Sequence, residues 1–168
     1  MIQNKNCQKK GFTLIELLVV VSIIGILSVI VLASLATSRA KSADAGIQSE
    51  LVHARNQIEL YYAAYGNYGA NYTLGGTSPT LCVASSGTIF ADAKIKSILD
   101  NAGKLSGGND LNKGGCMVLG NAWAVAMPLK TDSTYAWCVD STSASRKIYT
   151  TGGSGSPSTV INSSAACK

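Results

Sequence analysis

The sequence predicts an α+β chain, with a long amino-terminal α-helix whose first half can span a membrane and a small antiparallel β-sheet head behind it. Three observations carry this. Residues 17–36 are a run of 20 without a single charge. From there Ile47, Leu51, Ala54, Ile58, Tyr61 and Tyr65 recur at intervals of three and four, the signature of one helical face. The remainder, rich in Gly, Ser, Thr and Asn, alternates apolar residues between turn-forming clusters and carries four cysteines.

Length and composition bound the possibilities. A chain of 168 residues suffices for one compact domain plus an appendage. Charged residues make up 14% against about 25% in a typical soluble domain, 46% are hydrophobic and the mean hydropathy is +0.21. A disordered polyelectrolyte is excluded. The net charge is +5, but Lys5, Lys9 and Lys10 fall in the first 11 residues, so removing that segment leaves +2. The remaining basic residues are dispersed rather than clustered with aromatics, and no specific nucleic-acid binding is expected.

Residues 1–11 are short, polar and basic and lead directly into the apolar run, an arrangement that keeps the amino terminus in the cytoplasm. Twenty helical residues at 1.5 Å each reach roughly 30 Å, the thickness of a bilayer core. An ordinary secretory signal has a shorter apolar core, although Ser34-Leu35-Ala36 offers a competing cleavage site. Lipoprotein processing needs a cysteine after the apolar run, and Cys7 precedes it. Glu16 stands near the start of the run. A carboxylate in hydrocarbon costs about 2.5–3.5 kcal/mol on insertion scales, so it is either a functional residue or one that reaches the headgroups.

The segment KKGFTLIELLVVVSIIGIL resembles the amino terminus of type IV prepilins and of the related pseudopilins of type II secretion. The likeness covers residues 1–36. It implies a pilin-like fold and four segments: a leader at 1–11, a transmembrane and assembly helix at 12–36, its amphipathic continuation at 37–66, and a β-rich head with disulfides at 67–168. It further implies that a prepilin peptidase cuts between Gly11 and Phe12 and that Phe12 becomes the N-methylated first residue. Glycine suits such a junction because it lets an extended backbone approach a protease closely. Glu16 is implied to pair with the terminal ammonium of a neighbouring subunit and so to set the axial register. The implied partners are identical or related pilin subunits, the peptidase, and the membrane and pilus assembly machinery. The implied location is a single-pass membrane precursor and then an extracellular filament that supports adhesion, motility or DNA uptake. A pseudopilin of a secretion system and a single-pass anchored binding module are the alternatives.

Beyond the apolar run no proline occurs before Pro79, so one helix over 12–65 is expected, roughly 80 Å long, with Gly25 and Gly46 as bending points and Gly66 as its stop. Arg55 and Glu59 are spaced as an i,i+4 ion pair on its wet side. Residues 68–78 read as a loop and 92–102 as a short helix ending at Gly103. Strands are expected over 116–119, 122–129, 134–140 and, more weakly, 147–150, with 130–133 closing a hairpin. Residues 151–164 read as a loop.

With the leader gone, the cysteine count is four, which reads as an exported disulfide framework. Cys82, Cys116, Cys138 and Cys167 allow three pairings. Sequential pairing is favoured because it closes loops of 33 and 28 residues, each contributing on the order of 3–4 kcal/mol on a loop-entropy account. No cofactor or metal is expected: there is no CxxC, no HExxH and no glycine-rich phosphate loop, and Asn109-Asp110-Leu111-Asn112 reads as a polar turn. His53, the single histidine, reads as a surface residue. The Asn71 and Asn162 sequons are short enough to arise by chance. The tyrosines at 61, 62, 65, 68 and 72 read mostly as a packing seam. With no nucleophile or acid/base constellation, the protein is not expected to be an enzyme.

Overall fold

A computed structural model describes residues 11–71, 82, 87–107, 114–150, 161 and 164–168. The chain divides into two units, Met1–Ser38 and Arg39–Lys168. Helix α1 (Leu14–Tyr65) supplies the described helix of the first unit and the first element of the second.

In the first unit every described residue is exposed. No described residue covers its leucines, isoleucines and valines. Three of its serines, by contrast, are satisfied locally: the hydroxyls of Ser22, Ser28 and Ser38 donate to the carbonyls of Leu18, Ile24 and Ser34 at 2.8, 2.8 and 3.0 Å. A helix whose serines bond to its own backbone and whose residues 17–36 carry no charge is suited to a bilayer.

In the second unit the helical period does what it predicts, since Ile47, Leu51, Ala54 and Ile58 are fully buried. Gly66 then ends the helix with φ +72° while its N–H donates to the Tyr62 carbonyl at 2.7 Å, the left-handed stop that glycine adopts without a Cβ penalty. A 3₁₀ turn, Ile89–Ala91, which the sequence reading passed over, puts Ile89 and Phe90 into the core. Helix α2 (Ala93–Leu105) starts where Asp92 caps it, accepting from the N–H groups of Lys94 and Ile95 at 2.9 and 3.1 Å. It buries Ile95, Leu99 and Ala102 and runs past the expected end, carrying Gly103 inside the helix. Gly46, read from sequence as a bending point, is instead a point of close approach: a Cβ there would stand 2.8 Å from the Leu105 side chain.

Four antiparallel strands follow in simple order: β1 (Gly115–Leu119), β2 (Ala122–Pro128), β3 (Tyr135–Asp140) and β4 (Ser145–Tyr149). The register pairs Val118 with Trp123, Val125 with Val139, and Cys138 with Arg146. Alternation along the strands gives the sheet two apolar faces. Val118, Trp123, Val125, Met127 and Val139 join α1, α2 and the 3₁₀ turn in the main core. Met117, Ala124, Ala126, Ala136 and Cys138 form the second face, covered by Ile161, Ala165 and Cys167. The alanines between the large β2 residues thus have a packing role, because they leave room for a carboxy-terminal segment on the sheet. One disulfide serves each face: Cys82–Cys116 on the helix side, Cys138–Cys167 on the other. The turn at 109–112 and most of the loops at 68–78 and 151–164 lie outside the described residues, as do Cys7, Tyr72 and Asn162.

Candidate functional site: the exposed amino-terminal helix

The helix begins with an arrangement that the sequence reading missed. Thr13 is the residue before Leu14, and its backbone N–H and hydroxyl both donate to Glu16 Oε2, at 2.9 and 2.8 Å, while the Glu16 N–H donates to the Thr13 hydroxyl at 3.3 Å. This is a reciprocal capping box, Thr-x-x-Glu, which satisfies two of the four amide donors that a helix start leaves unpaired. The signal is in the sequence: Thr13-Leu14-Ile15-Glu16 stands directly before an apolar run.

Around this box the surface is hydrocarbon. Phe12, Ile15, Val19 and Val20 line a shallow depression that contains Glu16. Phe12 is 80% and Ile15 71% exposed, and the apolar character continues through Leu35. The helix is long and apolar enough to cross a membrane, and no part of its apolar window is buried within the chain. Gly11 and Phe12 precede the helix in extended or irregular backbone, and no described residue comes within 4 Å of the Gly11 Cβ position.

The head has its own polar centres, and sequence reasoning named none of them as such. Asp44, on α1, accepts from the Lys130 N–H at 2.5 Å, from the Thr131 N–H at 3.3 Å and from the Thr131 hydroxyl, tying the β2–β3 turn to the helix. Glu59 does not pair with Arg55. Its carboxylate accepts from the Trp123 indole at 3.1 Å and from the Tyr68 hydroxyl at 3.1–3.2 Å, because the adjacent core presents two donors that would otherwise be buried unpaired. Burial, followed by the Glu59 charge, pushes the Tyr68 hydroxyl above its ordinary range. Arg55 donates instead to the Ser143 carbonyl at 3.1 Å. The tyrosine seam is real in part: Tyr68 is buried and packs on Tyr62 with ring centres 4.6 Å apart, while Tyr65 is exposed and rests on Tyr61. His53 is exposed.

Asp140 is the most enclosed carboxylate of the head, 1% exposed. Oδ1 accepts from the Thr142 hydroxyl and N–H at 2.6 and 2.8 Å and from the Ala144 N–H at 3.2 Å, and Oδ2 from the Cys167 N–H at 2.9 Å. Burial alone would raise its pKa, but these donors outweigh burial and hold the carboxyl below its usual range.

Residues 6–32 match the family described as the prokaryotic N-terminal methylation motif. Over 75 residues the chain is 35% identical to a protein named fimbrial protein from Neisseria meningitidis serogroup A / serotype 4A (strain DSM 15465 / Z2491). The amino-terminal segment is type IV pilin-like. The aligned stretch covers 44% of this chain and 43% of that relative, so it spans less than half the relative's length. No solved structure matches the chain. The matched residues include the capping box and continue into the exposed helix. The α+β architecture, a long apolar amino-terminal helix with a four-stranded antiparallel sheet, is consistent with a pilin fold.

Proposed function

We propose that this chain is the structural subunit of a type IV pilus-like filament. A prepilin peptidase cleaves between Gly11 and Phe12, Phe12 is N-methylated, and the subunit waits in the membrane until assembly machinery draws it into a bundle of identical or related helices. Segments 12–36 and 37–66 are the two halves of the assembly helix, and 67–168 is the exported head. One observation supports this reading: the exposed apolar part of α1, with a carboxylate in its first turn, begins inside the matched methylation motif. In a membrane monomer lipid covers that helix. In a filament neighbouring copies do, and a Glu16 enclosed among apolar helices is tolerable only when paired, with the Phe12 ammonium of a neighbour as its counter-ion. The filament serves at the cell surface in adhesion, motility or DNA uptake, and the work of the chain is architectural rather than catalytic.

The test measures cleaved subunit in the membrane, surface filaments by electron microscopy, and subunit in the sheared fraction, in wild type and in Glu16→Ala. The expected mature chain has 157 residues, starts at methylated Phe12, and is found in sheared filaments. Glu16→Ala keeps membrane levels and cleavage near normal but loses filaments. A mature terminus at Thr37, or normal filaments from Glu16→Ala, refutes the reading.

A further inference from the structure

The second disulfide sits in a grip that does not involve sulfur. Cys138 and Asp140 are two residues apart on β3 and therefore share a face of the sheet, and Arg146 stands directly across from Cys138 on β4. All three meet Cys167. The Cys138 sulfur is bonded to it, Asp140 Oδ2 accepts from its N–H at 2.9 Å, and Arg146 Nη2 donates to its carbonyl at 2.5 Å. Holding both the N–H and the C=O of one residue fixes the rotation of its backbone, and with it the direction of its Cα–Cβ bond. The bridge between Ile161 and Cys167 and the burial of Ala165 hold the flanking chain against the same face.

We infer that Asp140 and Arg146 are positioning residues for oxidative closure of Cys138–Cys167, seating the Cys167 backbone on the folded sheet so that its thiol faces Cys138 before any S–S bond exists. The step balances with a disulfide oxidant, either oxidised glutathione or an extracytoplasmic thiol–disulfide oxidoreductase. One thiolate attacks the oxidant's disulfide to give a mixed disulfide and release one thiol. The second thiolate then attacks the protein sulfur of that mixed disulfide and expels the other. The two cysteines lose two electrons and two protons, and the oxidant is reduced to two thiols. The grip raises the rate of the second, ring-closing attack by holding the two sulfurs together. Fidelity comes from the sheet: Cys116 lies on its opposite face, with Cys82, so once the sheet has formed Cys167 is the partner left for Cys138 among these four cysteines, and the grip sets how fast the two join.

The experiment uses the full chain in detergent, reduced and then reoxidised with oxidised glutathione, quenched by alkylation and mapped by mass spectrometry. The ring-closing rates of both disulfides are read in the same molecule. Asp140→Asn removes a charged acceptor and introduces a donor facing donors, and should slow Cys138–Cys167 closure roughly tenfold or more, with the mixed disulfide at Cys138 or Cys167 accumulating. Cys82–Cys116 closure should stay within about twofold. Arg146 is exposed, so Arg146→Gln carries little risk of misfolding. It should slow the same closure severalfold, and Arg146→Lys, which keeps a cationic donor, should restore part of it. Equal slowing of both disulfides in the variants reduces the residues to ordinary stability and overturns the inference. So does unchanged closure. If Asp140→Asn fails to fold, the Gln and Lys variants at position 146 decide alone: no selective loss, or no recovery with Lys, refutes it.

Discussion

Asp44 offers the most direct measure of how the head is fastened to its helix. It is 8% exposed on α1, and its carboxylate receives two backbone N–H groups and one hydroxyl from Lys130 and Thr131. Asp44→Ala strands all three donors. Hydrogen bonds to a charged acceptor contribute about 1.5–3 kcal/mol each when buried, but Lys130 and Thr131 are themselves exposed, so water replaces much of what is lost. The expected net cost is therefore about 2 kcal/mol rather than the sum of three bonds. For a head of this size that corresponds to a fall in Tm of roughly 6–10 °C. Asp44→Asn, which keeps one neutral acceptor, should lose about half as much. Calorimetry on the full chain in detergent supplies the Tm, and amide hydrogen exchange at Lys130 and Thr131 locates the effect. A double-mutant cycle with Thr131→Ala should return a coupling of about 1 kcal/mol, since the two side chains bond directly. Stability within about 0.5 kcal/mol of wild type, or Lys130 and Thr131 amides that exchange freely in the unaltered protein, would refute the claim that this carboxylate fastens the turn.

Two further predictions concern the other enclosed polar groups. Glu59→Ala leaves the Trp123 indole and the Tyr68 hydroxyl without their acceptor and should cost about 1–3 kcal/mol with a change in Trp123 fluorescence, whereas Glu59→Gln, which retains an acceptor oxygen, should cost less; equal stability for all three proteins counts against the contact. Stability should also fall at both ends of the pH scale. Asp140 has a folded pKa below its unfolded value of about 3.9, so its contribution is complete above that value and is lost as pH falls through the folded one. Tyr68 has a folded pKa above its unfolded value of about 10, so its contribution is complete below that value and is lost as pH rises through the folded one. Urea midpoints across pH, compared with Asp140→Asn and Tyr68→Phe, check this: each variant should flatten only its own limb.

Periodicity was enough for the framework because the period of an element is imposed by what it must bury. The three- and four-residue spacing of Ile47, Leu51, Ala54 and Ile58 is a core face, and the alternation from Trp123 to Met127 is a sheet face. What periodicity cannot reveal is a polar side chain whose partner is distant in sequence. Glu59 looks like half of an i,i+4 pair with Arg55 until folding brings Trp123, 64 residues away, within reach. Asp44 looks like a surface acid until the turn 86 residues later arrives. Gly103 reads in the sequence as a helix stop, yet α2 continues through it to Leu105 and buries it. The capping box at Thr13 and Glu16 is different, being local and readable. It was hidden by giving Glu16 one role when the residue has chemistry for two.

Those two roles bear on each other in the proposed assembly. In the free chain Glu16 Oε2 already holds the Thr13 N–H and hydroxyl, so the carboxylate enters the membrane partly satisfied rather than bare. Docking against a neighbour's ammonium then adds to, or exchanges for, bonds that exist, and the net gain is the difference between the two states. A carboxylate with no local partner would gain more on docking but would cost more to keep in the bilayer. The capping box therefore lowers the penalty of the waiting state and the driving force for leaving it together. An assembling helix needs both properties if subunits are to be stored in the membrane and still be drawn from it.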